Sequence, residues 1–485
     1  MLLSELIDGD IPLPAKRVDV LGITSDSRAV RPGYLFAALR GSNFDGRDYI
    51  YDAVDHGAVA VLGSPDTRMP RKDVPLVVDE NPRHRLALMA ARFYGAQPGT
   101  VAAVTGTNGK TSVANFTAQI WSRMGKAAGC IGTLGLSAPG ISDALPHTTP
   151  DPVVLHEALA RLADDGVDHL AIEASSHGLD QCRLDGVRVD VAAFTNLARD
   201  HLDYHGEPER YLQAKLRLFS EILSADGTAL LHADLPEFEA VSSVCRGRGQ
   251  RVVSYGCNGA DFNISKRRPT NGGQVLDVYA EGLRRDVNLP IVGGFQAENA
   301  LCALAIVTVS GADSGAAIDT MNDLEAIPGR LQRVATHPCG ADVYVDYAHT
   351  PDALATVLRA VRSHASNRLV LVFGCGGDRD KGKRPLMGEI AGRYADRVIV
   401  TDDNPRDEDA STIRRQVMAG CDHAVEVPDR AEAIRSATAG LDEGDVLVIA
   451  GKGHEQGQIV GDAVRPFDDA EVARAAVAET GRGQR

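Results

Sequence analysis

The chain has no Cys-x-x-Cys pair, no apolar run near the ~20 residues that span a bilayer, and no excess of cations. Its eight cysteines, Cys130, Cys182, Cys245, Cys257, Cys302, Cys339, Cys375 and Cys421, are scattered. That spacing signals neither a zinc cluster nor a thioredoxin-like motif, and reduced core cysteines are expected rather than a disulfide framework. Lys and Arg total 51 against 66 Asp and Glu, a net charge of −15. A large nucleic-acid surface needs clustered cations, so nucleic acid is not an expected partner. The start, MLLSELIDGDIPLP, lacks the basic residues and long apolar stretch of a secretory signal. A cytoplasmic protein without membrane insertion is expected, and a monomer.

What is present is ordinary globular composition, 44% hydrophobic and 24% charged, over 485 residues, enough for about three domains. A first block, 1–97, mixes short strands with helical patterns and closes at Gly95-Ala-Gln-Pro-Gly99. A second, 98–328, opens with the strand-like Val101–Val104. The helical spacing of Val113, Phe116, Ile120, Trp121 and Met124 follows, then strand-like runs at 169–172, 191–194 and 228–231. A segment from about 260 to 286 reads as an antiparallel excursion. The third block, 329–485, alternates strands at 343–345, 369–373, 397–400 and 445–449 with helical patterns such as 353–361. The fold class expected is α/β in three domains: a mixed N-terminal one, a central P-loop ATPase-like parallel sheet and a C-terminal Rossmann-like unit.

Between the first strand and helix of the second block lies Thr105-Gly-Thr-Asn-Gly-Lys-Thr-Ser112. Glycines let backbone N–H groups approach phosphate oxygens at a helix N-terminus, Lys110 can reach terminal phosphates, and the Thr111 hydroxyl can bind Mg²⁺. The strict Walker pattern fails only at Val104, where it wants glycine; the alternative is an ordinary strand-to-helix turn. Gly106, Thr107, Asn108, Gly109, Lys110, Thr111 and Ser112 are therefore candidates for ATP. Glu173 ends another apolar strand, and His201 lies in Asn196–His205 after a third. Hard Mg²⁺ takes oxygen ligands and keeps several waters, so Thr111, Glu173 and one histidine suffice. Taken alone, each would be a solvated strand-end acid or a loop histidine.

Four strand ends of the third block carry polar clusters, at 346–349, 376–380, 402–406 and 451–455. Ligands of open α/β sheets bind beyond such ends. Arg379 and Arg406 offer forks for carboxylates; Asp403, Asn404 and Glu455 offer acceptors for an ammonium. The chemistry suits a zwitterion.

GTNGKTS, EASSHGL, FTNLARDHLDYHG, GCGGDRDKGKRPLM, DNPR and AGKGHEQGQ lie in collinear order. They resemble the segments of the Mur ligases, ATP-dependent enzymes joining a carboxylate to an amine, and among them the MurE branch. The resemblance implies Glu173 and His201 as metal ligands and Asn299 and Arg330 as nucleotide contacts. From the residues alone, Arg330 is an ordinary interdomain arginine. It implies a carbamylated lysine at Lys215, where the residues alone read as a surface lysine on an amphipathic helix. It implies diaminopimelate contacts at Arg379, Asp403, Asn404, Arg406, Gly451 and Glu455. Asp26-Ser-Arg28 resembles the UDP-gripping segment, implicating Ser27 and Arg28, with a structural turn as the alternative. Thr148, Thr149, Ser175, Gln181 and Arg183 match positions at the muramoyl-peptide end.

The expected function is thus transfer of meso-2,6-diaminopimelate onto UDP-N-acetylmuramoyl-L-alanyl-D-glutamate, with ATP as co-substrate and Mg²⁺, in peptidoglycan synthesis. Lys110, Glu173, His201 and Lys215 would carry the catalysis. Arg47, His232 and Gln296 depart from the family pattern at peripheral positions. A lysine-adding or folate-glutamylating relative is a second reading, which DNPR and the first block oppose. A P-loop ATPase acting on nucleic acid or partner proteins is a third, which the charge opposes.

Overall fold

The computed structural model describes residues 1–7, 13–41 and 44–482. Three large sheets follow one another along the chain, and a two-stranded hairpin, Gly457–Val460 with Ala463–Pro466, follows the last strand of the third. The first is all parallel, with Gly22–Thr24, Tyr34–Ala37, Ala60–Gly63 and Leu76–Val78 in chain order. Helix Pro82–Tyr94 then leads out of it. Asn81 caps this helix by accepting from the His84 N–H at 3.2 Å, proline sits in its first turn, and Gly95 ends it at φ +72°.

The second sheet has eleven strands. Its parallel centre runs Leu223–His232, Val189–Phe194, Thr100–Thr105, His169–Glu173, Ala128–Gly132. Thr100–Thr105, which feeds the phosphate loop, thus lies between the two strands that deliver Glu173 and the 195–201 segment. These strands are largely apolar and buried, as strands covered on both faces are, apart from the exposed start of Leu223–His232. Helix Lys110–Arg123 packs against Gly294–Val309, whose residues are buried nearly all round, as expected for a helix at the centre of a core. The antiparallel excursion is a three-strand meander, Phe262–Thr270, Gly273–Ala280 and Leu283–Leu289, ending three residues beyond the segment its pattern suggested.

The third sheet runs Gln332–Thr336, Asp342–Asp346, Val446–Ala450, Leu369–Phe373, Arg397–Val400, Val425–Glu426, parallel except for its first, edge strand. Helices such as Pro351–Arg362 and Arg430–Ala439 cover it, and their apolar side chains fill one cluster on each face. The four polar clusters all lie at the carboxyl ends of its parallel strands.

All eight cysteines are free, but two are not core residues. Cys257 is exposed in the turn after Arg251–Tyr255, its N–H bonded to Asp234 Oδ2 at 2.6 Å, and Cys339 is half-buried in a hairpin. Turn geometry outweighs the usual preference of a thiol for burial at these positions. No helix among the described residues is long and apolar enough to cross a membrane.

Candidate active site

A cleft of about 490 Å³ opens where the second and third sheets face each other, lined by the phosphate loop, Glu173, Asp200, His201, Asn299, Arg330 and the 346–350 turn. The loop's glycines are sterically required. Gly106 has φ +146°, and a Cβ there would strike the Thr195 hydroxyl. Gly109, at φ +87°, would place one 2.5 Å from Asn299 Oδ1. The loop is tied to the neighbouring strand end: Asn196 accepts from Thr107 N at 2.8 Å through its carbonyl and from Asn108 N at 2.8 Å through its side chain. Ser112 is buried in the first turn of the following helix.

Lys110 folds back onto the loop, donating to the carbonyls of Gly106 at 3.0 Å and Thr107 at 2.8 Å. Burial lowers its pKa although Glu173 and Asp200 pull the other way. Asp200 itself is held below the usual carboxylate range; burial opposes this, but His201, His349 and Lys110 outweigh it.

Glu173 is no solvated strand-end acid. It is 0% exposed, accepting from Thr111 Oγ1 at 2.9 Å, Thr133 N at 2.8 Å and Thr133 Oγ1 at 3.1 Å. Gly132, before Thr133, has no room for a side chain because a Cβ would clash with that carboxylate. A hydroxyl and a carboxylate side by side make a hard oxygen pair, which fits Mg²⁺ with water completing its shell. Among the described residues no three His, Cys, Asp or Glu side chains form a closed metal cage. His201 lines the same cleft at φ +52°, its Nε2 3.5 Å from Asp200, its ring 4.8 Å from that of His177.

Lys215 is not a surface lysine. On helix Pro208–Arg217 it is 1% exposed and donates to the Gly106 carbonyl at 2.7 Å, with the Tyr211 ring 4.2 Å from Nζ. Burial, then the charge of Lys110, drives its pKa well below the ordinary lysine value. A neutral amine is the form that adds CO₂, so the site fits a carbamate chemically.

Arg330 crosses from one sheet to the other. Nη2 donates to Thr111 Oγ1 at 3.0 Å, while the guanidinium lies 4.6 Å from the Tyr347 ring centre. Gln296, a departure from the family pattern, accepts from Asn299 Nδ2 at 2.9 Å and donates to the Arg330 carbonyl at 2.9 Å, joining the two candidate nucleotide residues. Thr133, Asp200, Gln296, Tyr347 and His349 escaped the sequence reading as site residues. Asp200 lies in Asn196–His205 and Tyr347 and His349 in the 346–349 strand-end cluster, whereas Thr133 carries no local signal.

Thr148, Thr149, Ser175, Gln181 and Arg183 come together beside Glu173. Thr149 Oγ1 donates to the Glu173 carbonyl at 2.7 Å, Arg183 Nη1 to the Thr149 carbonyl at 2.7 Å and Nη2 to Gln181 at 2.8 Å. Thr148 Oγ1 lies 3.0 Å from Thr133 Oγ1, and Ser175 caps Ser176–Asp180. Ser27 and Arg28 stand apart from this cleft. Arg28 is exposed and forked onto Asp26 at 2.9 and 2.8 Å.

At the same carboxyl edge of the third sheet, Asp403, Asn404, Gly451 and Glu455 cluster, with Gly451 N donating to the Asp346 carbonyl at 3.2 Å. Gly451 has φ +110°, and a Cβ there would sit 2.7 Å from Asp403 Oδ2. Arg406, at φ +53°, donates to the Gly377 carbonyl at 2.7 Å, and Arg379 is exposed on the neighbouring loop. None of these six lines the phosphate-loop cleft. One expectation changes: the Asn404 side chain has no acceptor left over for a substrate ammonium. Its Oδ1 already accepts from Lys452 Nζ and from Ile459 N, both at 3.0 Å.

The Mur ligase middle-domain model matches residues 104–307, the Mur ligase glutamate ligase domain 329–453, and the Mur ligase family catalytic domain 19–94. The chain belongs to the Mur ligase family. It is 50% identical over 462 residues to the UDP-N-acetylmuramoyl-L-alanyl-D-glutamate–2,6-diaminopimelate ligase of Agrobacterium fabrum, covering 95% of this chain and 94% of that one. It is 50% identical over 484 residues, 99% of both chains, to the ligase of the same name from Bradyrhizobium diazoefficiens. A solved structure of an enzyme so named aligns with TM-score 0.73 at 34% identity over 99% of each chain. The MurF ligase of Thermotoga maritima in complex with ADP aligns with TM-score 0.65 at 19% identity, over 96% of this chain and 99% of that one, a likeness of fold. The three-sheet architecture is therefore that of the Mur ligases.

Proposed function

We infer that this Mur ligase is an ATP-dependent, ADP-forming ligase that joins 2,6-diaminopimelate to UDP-N-acetylmuramoyl-L-alanyl-D-glutamate in peptidoglycan synthesis. What carries the reading is identity of 50% over nearly the whole chain to enzymes named for that reaction, with Asp403-Asn-Pro-Arg406 intact.

The reaction is two displacements. An oxygen of the D-glutamate γ-carboxylate attacks the γ-phosphorus, ADP leaves, and an acyl phosphate remains. The diaminopimelate amine attacks the acyl carbon, loses a proton, and phosphate leaves from the tetrahedral intermediate. Such chemistry depends on positioning and on stabilising transferring charge, so no nucleophilic side chain is required.

Residues 106–112 with Asn299 and Arg330 bind ATP. Lys110 turns from its loop carbonyls to the phosphates, and Arg330 supplies a second cation. Thr111 and Glu173, with His201, would hold Mg²⁺, which would supply positive charge to neutralise the phosphates. Lys215, as carbamate, presents an anion beside them. Thr148, Thr149, Ser175, Gln181 and Arg183 orient the muramoyl peptide, while Ser27 and Arg28 grip the UDP. Arg379, Asp403, Asn404, Arg406, Gly451 and Glu455 receive the diaminopimelate, its extra carboxylate on Arg406. Residues 1–97, 98–328 and 329–485 are the three functional domains. The enzyme works as a cytoplasmic monomer supporting cell-wall growth, cell shape and division.

Mass spectrometry of a reaction containing the UDP-dipeptide, ATP, Mg²⁺ and meso-diaminopimelate tests this. One new amide, formed only when all are present, is expected; ADP release without the amide overturns it.

A further inference from the structure

Lys452 follows Gly451 at the end of strand Val446–Ala450 and has no place in the mechanism above. Its side chain is 0% exposed, yet it carries an ammonium. A buried cation persists only where acceptors replace its water. Two do: Nζ donates to Asn404 Oδ1 at 3.0 Å and to Glu455 Oε2 at 3.0 Å. Asn404 Nδ2 closes the triangle, donating to the same Glu455 Oε2 at 2.8 Å.

This triangle settles which way the Asn404 amide faces. Lys452 Nζ and Ile459 N–H are donors only, so both must meet the oxygen, and both its lone pairs are taken. Glu455 accepts, so it must meet the nitrogen. What the Asn404 side chain has left is one N–H, a donor. Among the described residues Glu455 takes these bonds on Oε2 alone, and its side chain is 33% exposed, leaving Oε1 as an acceptor. A donor beside a carboxylate acceptor is the complement of one α-amino-acid centre, carboxylate and ammonium together.

We propose that Lys452 is a positioning residue for the amino-acid substrate, holding Asn404 as a hydrogen-bond donor and Glu455 as its paired acceptor, so that the two read one zwitterionic centre. The proposal rests on the ligase function inferred above. Without the ammonium, Asn404 is free to flip and Glu455 to turn away, and the complement is lost although every contacting residue remains.

The test is steady-state ADP release by the full-length enzyme, with KM measured separately for meso-diaminopimelate, ATP and the UDP-dipeptide. Lys452→Met is expected to raise the diaminopimelate KM about ten- to a hundredfold, the scale of losing a charge-assisted hydrogen bond. The other two KM values should stay within about twofold. In a double-mutant cycle, Lys452→Met should add little to Asn404→Ala, because it acts through that residue. A diaminopimelate KM unchanged in active Lys452→Met, or all three KM values rising together, overturns the proposal. So does full additivity in the cycle. Asn404→Asp against Asn404→Ala decides it even if Lys452→Met does not fold. If Asn404 donates to a carboxylate, Asp binds diaminopimelate worse than Ala; if Asp binds it better, the assignment is wrong. Absence of product from the wild-type enzyme would instead sink the ligase reading itself, so the two failures are distinguishable.

Discussion

Lys215 and Lys110 donate to one and the same carbonyl oxygen, that of Gly106, at 2.7 and 3.0 Å. Two ammonium groups cannot share so small and dry a space cheaply, and Lys215, the deeper, gives up its proton more readily. Burial first and Lys110 second lower its pKa well below the free-lysine value of 10.5. The folded state therefore binds fewer protons here than the unfolded chain. Stability contributed by Lys215 is whole above pH 10.5 and is lost as pH falls towards the lowered folded value. In bicarbonate-free buffer, Lys215→Met should melt at or above the wild-type temperature at pH 7, its advantage shrinking as pH rises. Measured melting curves at several pH values check this; an advantage growing with pH contradicts it.

The same neutral amine should capture CO₂. Removing bicarbonate is expected to lower wild-type activity, and restoring it to bring activity back, with a carbamate carbon visible by NMR from labelled bicarbonate. Lys215→Arg, which stays protonated, should show neither effect.

Glu173 is oriented by Thr111 and by both polar groups of Thr133. Glu173→Gln keeps the shape and removes the charge. The Mg²⁺ concentration giving half-maximal rate should rise, and kcat fall by about 10²-fold or more, since charge stabilisation is the main catalytic effect. Thr133→Ala should give a smaller loss in the same direction. A Mg²⁺ titration of the three proteins decides.

Asp346 accepts from Leu331 N and Ala348 N, both at 2.6 Å, yet burial pushes its pKa up to about 6. A group with a raised folded pKa stabilises fully below the unfolded value of 3.8 and loses that contribution as pH rises through about 6. Relative to Asp346→Asn, wild type should lose about 3 kcal/mol between pH 4 and 7, an upper figure from 1.36 kcal/mol per pKa unit. Urea unfolding at stepped pH measures the difference; a flat difference contradicts it.

Local pattern carried much of this into view. The strand, the glycines and the helix around Lys110 are contiguous, and alternation of apolar strands with helices announces a doubly wound third sheet. What stayed hidden depends on partners distant in the chain. Lys215 reads as a surface residue on its own helix because the carbonyl that buries it is 109 residues earlier. Glu173 reads as a solvated acid because Thr133 arrives from 40 residues away. Asn404 reads as a free acceptor because the donors that occupy its oxygen, Lys452 and Ile459, come 48 and 55 residues later.

The central claim is an amide ligase selective for diaminopimelate, and one comparison tests it most directly. ADP release is measured with UDP-dipeptide, ATP and Mg²⁺, supplying meso-diaminopimelate or L-lysine, for wild type and Arg406→Ala. Wild type should turn over with diaminopimelate and scarcely with lysine, and Arg406→Ala should raise the diaminopimelate KM while leaving that for ATP in place. Equal wild-type rates with lysine, or ADP release needing neither amine nor UDP-dipeptide, would contradict it.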